Sequence, residues 1–187
     1  MTHKELSEYT HEDLTNYTHL QLSLPLEPLI TFRRQSDINR ILYLLGRMQS
    51  VGFDGLLASE KAEWSRSLRG AYNASDLNRV GGYVQYIVNW LKYYAYLITV
   101  DAKTDWQRED FATPSTMSTY LGNLHALVNG YCATPGAGAI PEDMEALTFE
   151  EANAIERLLE ELIYAITGME NNYRYAGDLI SGEGYFC

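Results

Sequence analysis

The sequence predicts a mainly α protein, a small bundle of four to five helices with an N-terminal arm of short repeated turns and a C-terminal tail or hairpin. Three observations carry this. Apolar residues recur at three- and four-residue spacing in several separate stretches, which is the period of one helix face. Ser or Thr stands before many of these stretches, in places with an acid three residues later, the pattern that satisfies the free amides of a first helical turn. Gly- and Pro-rich breaks separate them. The boundaries read as an arm over 1–30, a helical module over 31–131, a linker over 132–147, a last bundle helix over 148–170 and an aromatic, Gly-containing tail over 171–187.

The arm opens with three octads, MTHKELSE, YTHEDLTN and YTHLQLSL, in which Thr2/Thr10/Thr18, His3/His11/His19 and Leu6/Leu14/Leu22 recur. In one continuous helix an eight-residue step would leave equivalent residues roughly 80° out of line, so no straight stripe would form. Three short capped turns fit better, with Glu5, Asp13 and Gln21 each three residues after a Thr. Pro25 and Pro28 close the arm.

From Ser36, read as an N-cap, Ile38, Ile41, Leu42 and Leu45 share one side of a helix that ends near Gly52 or Gly55. SEKAEWSRSLRG offers Ser59 as cap, Trp64 and Leu68 as anchors and Gly70 as stop. The clearest element starts at SDLNRV and runs to about Ile98, with Leu77, Val80, Val84, Ile87, Val88 and Leu91 on one face. Its Gly81–Gly82 pair costs about 1 kcal/mol per glycine in a helix, which implies close packing or a kink. SDINRI at 36–41 and SDLNRV at 75–80 are near copies, read as recurrent helix-start chemistry. After the polar loop KTDWQREDFATPS, Thr113, Pro114 and Ser115 suit the start of a helix carrying Met117, Leu121, Leu124 and Val128. CATPGAGAIPEDMEAL reads as a flexible crossing. Thr148 and Glu151 then form a capping box for a helix bearing Phe149, Ala152, Ile155, Leu159, Leu162, Ile163 and Ile166, stopped by Gly168. NNYRYAGDLISGEGYFC reads as a hairpin or a docked tail.

Charge narrows the function classes. The chain of 187 residues carries 14 Lys and Arg against 25 Asp and Glu, a formal net charge of -11. That opposes binding to nucleic-acid phosphates or anionic membrane surfaces, so neither is expected as a partner. No apolar run reaches bilayer-spanning length, and the polar start lacks the pattern of a secretory signal, so cytosolic synthesis is expected. Cys132 and Cys187 are too few and too badly placed for a disulfide framework or thiolate metal site. The 15 tyrosines and three tryptophans point to contact surfaces as well as core.

The residues offer no catalytic constellation. His125 is the one histidine outside the arm, on a helix committed to packing, and no triad is suggested. Adjacent carboxylates such as Glu160–Glu161 or Glu109–Asp110 point to different faces and read as a solvated acidic surface. Asp101, Lys103, Asp105 and Trp106 resemble a calcium loop only superficially, because Lys103 stands where an oxygen ligand is needed. The reading is therefore no enzyme, no cofactor and no metal. His3, His11 and His19 would meet around a metal only if several copies of the arm shared an axis; as spacers they would make arm contacts sensitive to acid. The residues expected to bind partners are Tyr9, His11, Leu14, Tyr17, His19 and Leu22 in the arm, Tyr83, Tyr86 and Trp90 on the clearest helix, and Trp106 in the polar loop. For the aromatic stripe that continues through Tyr93 and Tyr94, the competing reading is a helix at the centre of the bundle with its tyrosines reaching towards water.

Three passages, RGAYNASDLNRVGGYVQYI, KTDWQREDFATPSTMSTYLGNLHAL and DMEALTFEEANAIERLLEELI with the following YRYAGDLISGEGYF, together resemble a helical module of tail-region virion proteins from phages and prophages of Gram-positive bacteria. Gly70, Ala71, Asn73, Asp76, Asn78 and Arg79 match its first string, Asp105, Trp106 and Asp110 its second, and Phe149 and Asn153 the aromatic and Asn places of its third. Ala112-Thr113-Pro114 and the mid-helix Gly81-Gly82 depart from it. The resemblance implies a virion structural protein of the tail, baseplate or neck, made in the host bacterial cytoplasm. Its implied partners are other virion proteins in a symmetric multimer, with the arm anchored on a neighbouring subunit. It implies no catalytic residues. The alternatives are a module that binds host cell-wall glycan through exposed aromatics such as Trp106, and an assembly factor absent from the mature particle.

Overall fold

The computed structural model describes residues 27–65, 68–94, 96–110, 112–131 and 139–180, the last stretch as backbone alone beyond Met169. Among these residues there are five helices and no strand: α1 (Gln35–Val51), α2 (Ala58–Trp64), α3 (Ala74–Tyr93), α4 (Pro114–Tyr131) and α5 (Phe149–Ile180). The protein is thus mainly helical, as its apolar periodicity requires. The octads of 1–26, the linker residues 132–138 and the terminal 181–187 lie outside the described residues, and with them Cys132, Cys187 and the arm positions.

An acid at the third helical position starts four of the helices by accepting from the cap amide. Asp37 takes the Arg34 N–H at 2.8 Å, Glu60 the Leu57 N–H at 2.9 Å, Asp76 the Asn73 N–H at 3.0 Å and Glu151 the Thr148 N–H at 2.8 Å. The Leu57 amide, more than any other contact, holds the Glu60 carboxyl below its ordinary pKa. The Thr148–Glu151 box therefore forms as expected, whereas Arg34 and Leu57 stand at the caps assigned to Ser36 and Ser59. Asp37 and Asp76 occupy the same helical position, so the SDINRI/SDLNRV likeness marks the same start chemistry used twice. Gly52 ends α1 with φ 68, a left-handed conformation that favours glycine.

Helix α3 is the centre, packed on both α4 and α5. All six aliphatic positions of its stripe are buried, with Leu121, Leu124 and Leu127 of α4 and Ile155, Leu158, Leu159, Leu162 and Ile166 of α5 in the same cluster. Three boundaries differ from those read in the sequence. The α2 helix stops at Trp64 rather than Gly70. The α3 helix ends at Tyr93, where Tyr96 N–H bonds the Leu91 carbonyl at 2.9 Å and the chain turns back, freeing Ile98 to bury as part of a strap. The last helix passes Gly168, beside which a Cβ would meet nothing, and continues to Ile180, so the first ten residues of the segment read as a tail or hairpin are helical. The linker too is partly core: Ile140, Met144 and Leu147 sit against the hydrophobic cluster.

Helices α1 and α2 stand apart. The buried Leu44 of α1 and Leu56 of the turn between the two helices lie outside the main cluster. The two helices are tied to each other by polar contacts: the Arg40 guanidinium grips the Glu63 carboxylate at 2.6 and 2.9 Å, and Tyr43 donates to Glu60 at 3.1 Å.

Candidate functional site

Two arrangements hold the irregular chain to the bundle. The first is a buried ionic cluster, where an extended segment, 27–34, crosses α5. Arg33, Asp76, Arg79 and Glu156 are all buried, two guanidiniums against two carboxylates. Arg33 donates to Asp76 at 2.7 Å and to Glu156 at 2.6 Å, while Arg79 reaches Glu156 at 2.8 and 2.9 Å and also contacts Asp76. Glu156 accepts in addition from the Ile30 N–H at 2.6 Å. Arg33 donates to the carbonyls of Ile30 at 2.7 Å and Arg69 at 3.1 Å. The charges thus balance within one small volume, the condition under which buried ions persist. Burial opposes the Arg79 charge, but Glu156 and Asp76 hold its pKa above the ordinary value. Asp76 serves twice, as helix-start acid and as counter-ion, which Asp37 and Arg40 at the surface do not.

Beside this cluster the Tyr72 and Tyr120 hydroxyls meet at 2.6 Å. Burial pushes both phenols up, with the neighbouring carboxylates adding to it. A raised folded-state pKa means stability that is complete below the ordinary tyrosine value and lost as pH rises above it. Stability is therefore expected to fall above about pH 10. Ultraviolet titration should show two tyrosines ionising only with unfolding, and reversible ionisation of every tyrosine in the native state would contradict the pairing.

The second arrangement is a set of asparagine clamps. Each of three helices presents one Asn whose amide pairs with both the N–H and the carbonyl of a single residue in irregular chain. On α3, Asn78 accepts from the Trp106 N–H at 2.6 Å and donates to its carbonyl at 2.9 Å. On α4, Asn123 does the same with Asp101, both at 2.8 Å. On α5, Asn153 does so with Arg33 at 2.8 and 2.9 Å. Such pairing satisfies backbone groups that a loop on a helical bundle would otherwise leave unpaired. Two helical glycines let the strap over 96–106 approach: a Cβ on Gly81 would strike the Lys103 carbonyl oxygen, and one on Gly130 would press Ile98 at 2.6 Å. Close packing is thus the reason for Gly81 in mid-helix. A cleft of about 230 Å³ remains beside the strap, lined by Val84, Asp101, Lys103, Trp106 and Tyr120 among others.

These arrangements relocate the expected contact residues. Trp106 is only 6% exposed, Tyr83 and Trp90 are also buried, and Tyr86 is half-buried against the core. The aromatic stripe of α3 as far as Trp90 therefore belongs to the bundle, on the helix that packs against α4 and α5, whereas Tyr93 at its end is 45% exposed; Trp106 is buried where the Asn78 clamp holds its backbone. The indole N–H groups of Trp90 and Trp106 are buried without a partner. Tyr9, His11, Leu14, Tyr17, His19 and Leu22 lie outside the described residues. His125 is exposed on α4, and among the described residues no group of three His, Cys, Asp or Glu is placed to hold a metal. No described helix is long and apolar enough to cross a membrane.

The surface that sequence reading missed is on α1. Its apolar stripe, expected to face the core, faces outward: Leu42 is 60% and Leu45 39% exposed, with Ile38 half-buried, while Leu44 on the other side is buried. Val51, Phe53 and Leu57 add exposed apolar surface where α1 turns into α2. A signal existed in the sequence, since Leu42, Leu44 and Leu45 cannot all share one helix face. The residues that carry the family resemblance, by contrast, close buried or capping contacts: Asn73, Asp76, Asn78, Arg79, Asp110 and Asn153. Comparison with protein-family models, curated proteins and solved structures finds no match.

Proposed function

We propose that this chain is a non-enzymatic structural protein of a phage particle, in its tail, baseplate or neck, and that its N-terminal arm anchors it on neighbouring subunits. The observation that supports this best is the outward apolar stripe Ile38, Leu42 and Leu45 on a helix pair set apart from a rigidly tied bundle. Exposed apolar surface of this kind marks association sites. The buried titratable groups support the same reading, because Arg33, Asp76, Arg79 and Glu156 are consumed by one another and by backbone groups. The virion setting itself rests on the resemblance carried by the three sequence passages. The glycan-binding alternative loses its chosen anchor with Trp106 buried.

Quantitative mass spectrometry of purified particles tests the assignment. Peptides of this chain are expected at a fixed ratio to a tail component, at a multiple of three, six or twelve set by particle symmetry. Their absence from mature particles would remove the structural role and favour an assembly factor.

A further inference from the structure

The main hydrophobic cluster takes in Leu29 and then Tyr72, and no described hydrophobic residue between them is buried in it or half-buried against it. The excursion between those two points, through α1 and α2, is therefore held together by its own contacts. These are few. On α1 only Leu44 is buried, on α2 only Glu60, and the turn between them adds Leu56. The Arg40–Glu63 pair that joins the two helices is half-exposed, and an ion pair in water contributes little. Helix α2 has seven residues, and an isolated helix shorter than about 12–15 residues is marginal in water, so α2 depends on α1 for its existence. By contrast α3, α4 and α5 share one continuous buried cluster.

The excursion is pinned where it begins and ends. Arg33, fixed in the buried ionic cluster, donates through Nε to the Arg69 carbonyl at 3.1 Å, and the Arg69 guanidinium lies over the Phe32 ring at 4.6 Å. Gly70 seats the first turn of α1 on this base, since a Cβ there would strike the Asp37 carbonyl. The two ends are thus held to the bundle by Arg33, and the chain beyond them can loosen without disturbing α3, α4 or α5. We propose that α1 and α2 form a separately opening unit: residues 35–64 lose and regain their structure together on the Arg33–Arg69 base while the bundle stays packed. Segments with few buried apolar contacts open at a lower free energy than the whole molecule, in contiguous cooperative steps. Opening uncovers Leu44 and Leu56 beside the already exposed Leu42 and Leu45, so the outward apolar surface sits on the part of the molecule that changes shape. The inference goes beyond the proposed function and does not depend on the virion assignment.

Native-state hydrogen exchange of the full-length chain, read by mass spectrometry at rising urea below the unfolding transition, tests this. Peptides covering α1 and those covering α2 are expected to share one opening with one urea dependence, at least about tenfold more frequent than the opening of α3 and of residues 149–166 of α5. Two variants separate the unit from the bundle. Leu44→Ala, in the helix pair, should speed exchange across α1 and α2 by about tenfold or more, or unfold them outright, with α3 and α5 unchanged. Ile87→Val, a mild change in the bundle core, should speed α3 and α5 by roughly two- to tenfold and leave α1 and α2 unchanged. Exchange of α1 and α2 only through the opening shared with α3, different urea dependences for α1 and α2, or Leu44→Ala speeding α3 and α5 as much as α1 overturns the proposal.

Discussion

Glu156→Gln is expected to destabilise the protein by about 3–5 kcal/mol, because it leaves two buried guanidiniums facing one buried carboxylate, Asp76, with only the exposed Glu27 beside Arg79. The substitution barely changes volume, so the loss is electrostatic and polar rather than a cavity effect. The glutamine amide nitrogen would also face a donor whichever way it turned, since Arg33, Arg79 and the Ile30 N–H all point at the present carboxylate. Against a typical total of roughly 5–15 kcal/mol, this removes a large part of the stability. Urea unfolding should show a lower midpoint with an unchanged slope. Removing charge in balance tells a different story: Glu156→Leu combined with Arg79→Met should cost less than the sum of the two single changes, since each single change strands its partner. Additive costs, or a Glu156→Gln protein as stable as the parent, would mean that the cluster is hydrated and not a buried ionic tie.

Gly81→Ala is the second expected large effect, and its sign is informative. Helix propensity alone favours alanine by about 1 kcal/mol. At Gly81 the added methyl would meet the Lys103 backbone carbonyl, which cannot rotate away because the Asn78 and Asn123 clamps fix the strap on either side. Net destabilisation of about 1–3 kcal/mol is therefore expected, with a red shift of tryptophan emission as Trp106 is lifted from its site. Gly122→Ala on α4 is the matched control, since nothing lies within 4 Å of a Cβ there. It should stabilise by about 0.5–1 kcal/mol. Equal and favourable effects at both positions would show that the strap does not bear on α3.

Helix existence was written locally, and so it was legible. The α3 stripe from Leu77 to Leu91, the Thr148–Glu151 box and the Gly52 stop all depend on neighbours within a turn or two, and each forms where the spacing puts it. Helix ends were less legible, because what decides them is distant. The α3 helix stops at Tyr93 so that the strap can cross to Asn123 and Asn78, and α5 runs past Gly168 although a glycine there permits a stop. The candidate site was the least legible part. Nothing local distinguishes Asp76 and Arg79 from Asp37 and Arg40, which belong to nearly the same string; only the arrival of α5 with Glu156, and of the 27–34 segment with Arg33, buries one pair and leaves the other in water.

By itself, then, the sequence determined the helical class, the main core stripes, the net acidic charge and the repeat of the arm. All are properties of composition and of periods shorter than ten residues. Tertiary structure alone decided which amphipathic faces were covered. It turned Trp106, Tyr83 and Trp90 inward, where long-range partners on α4, α5 and the strap enclose them, and left Leu42 and Leu45 outward on α1, because no helix among the described residues packs over that face.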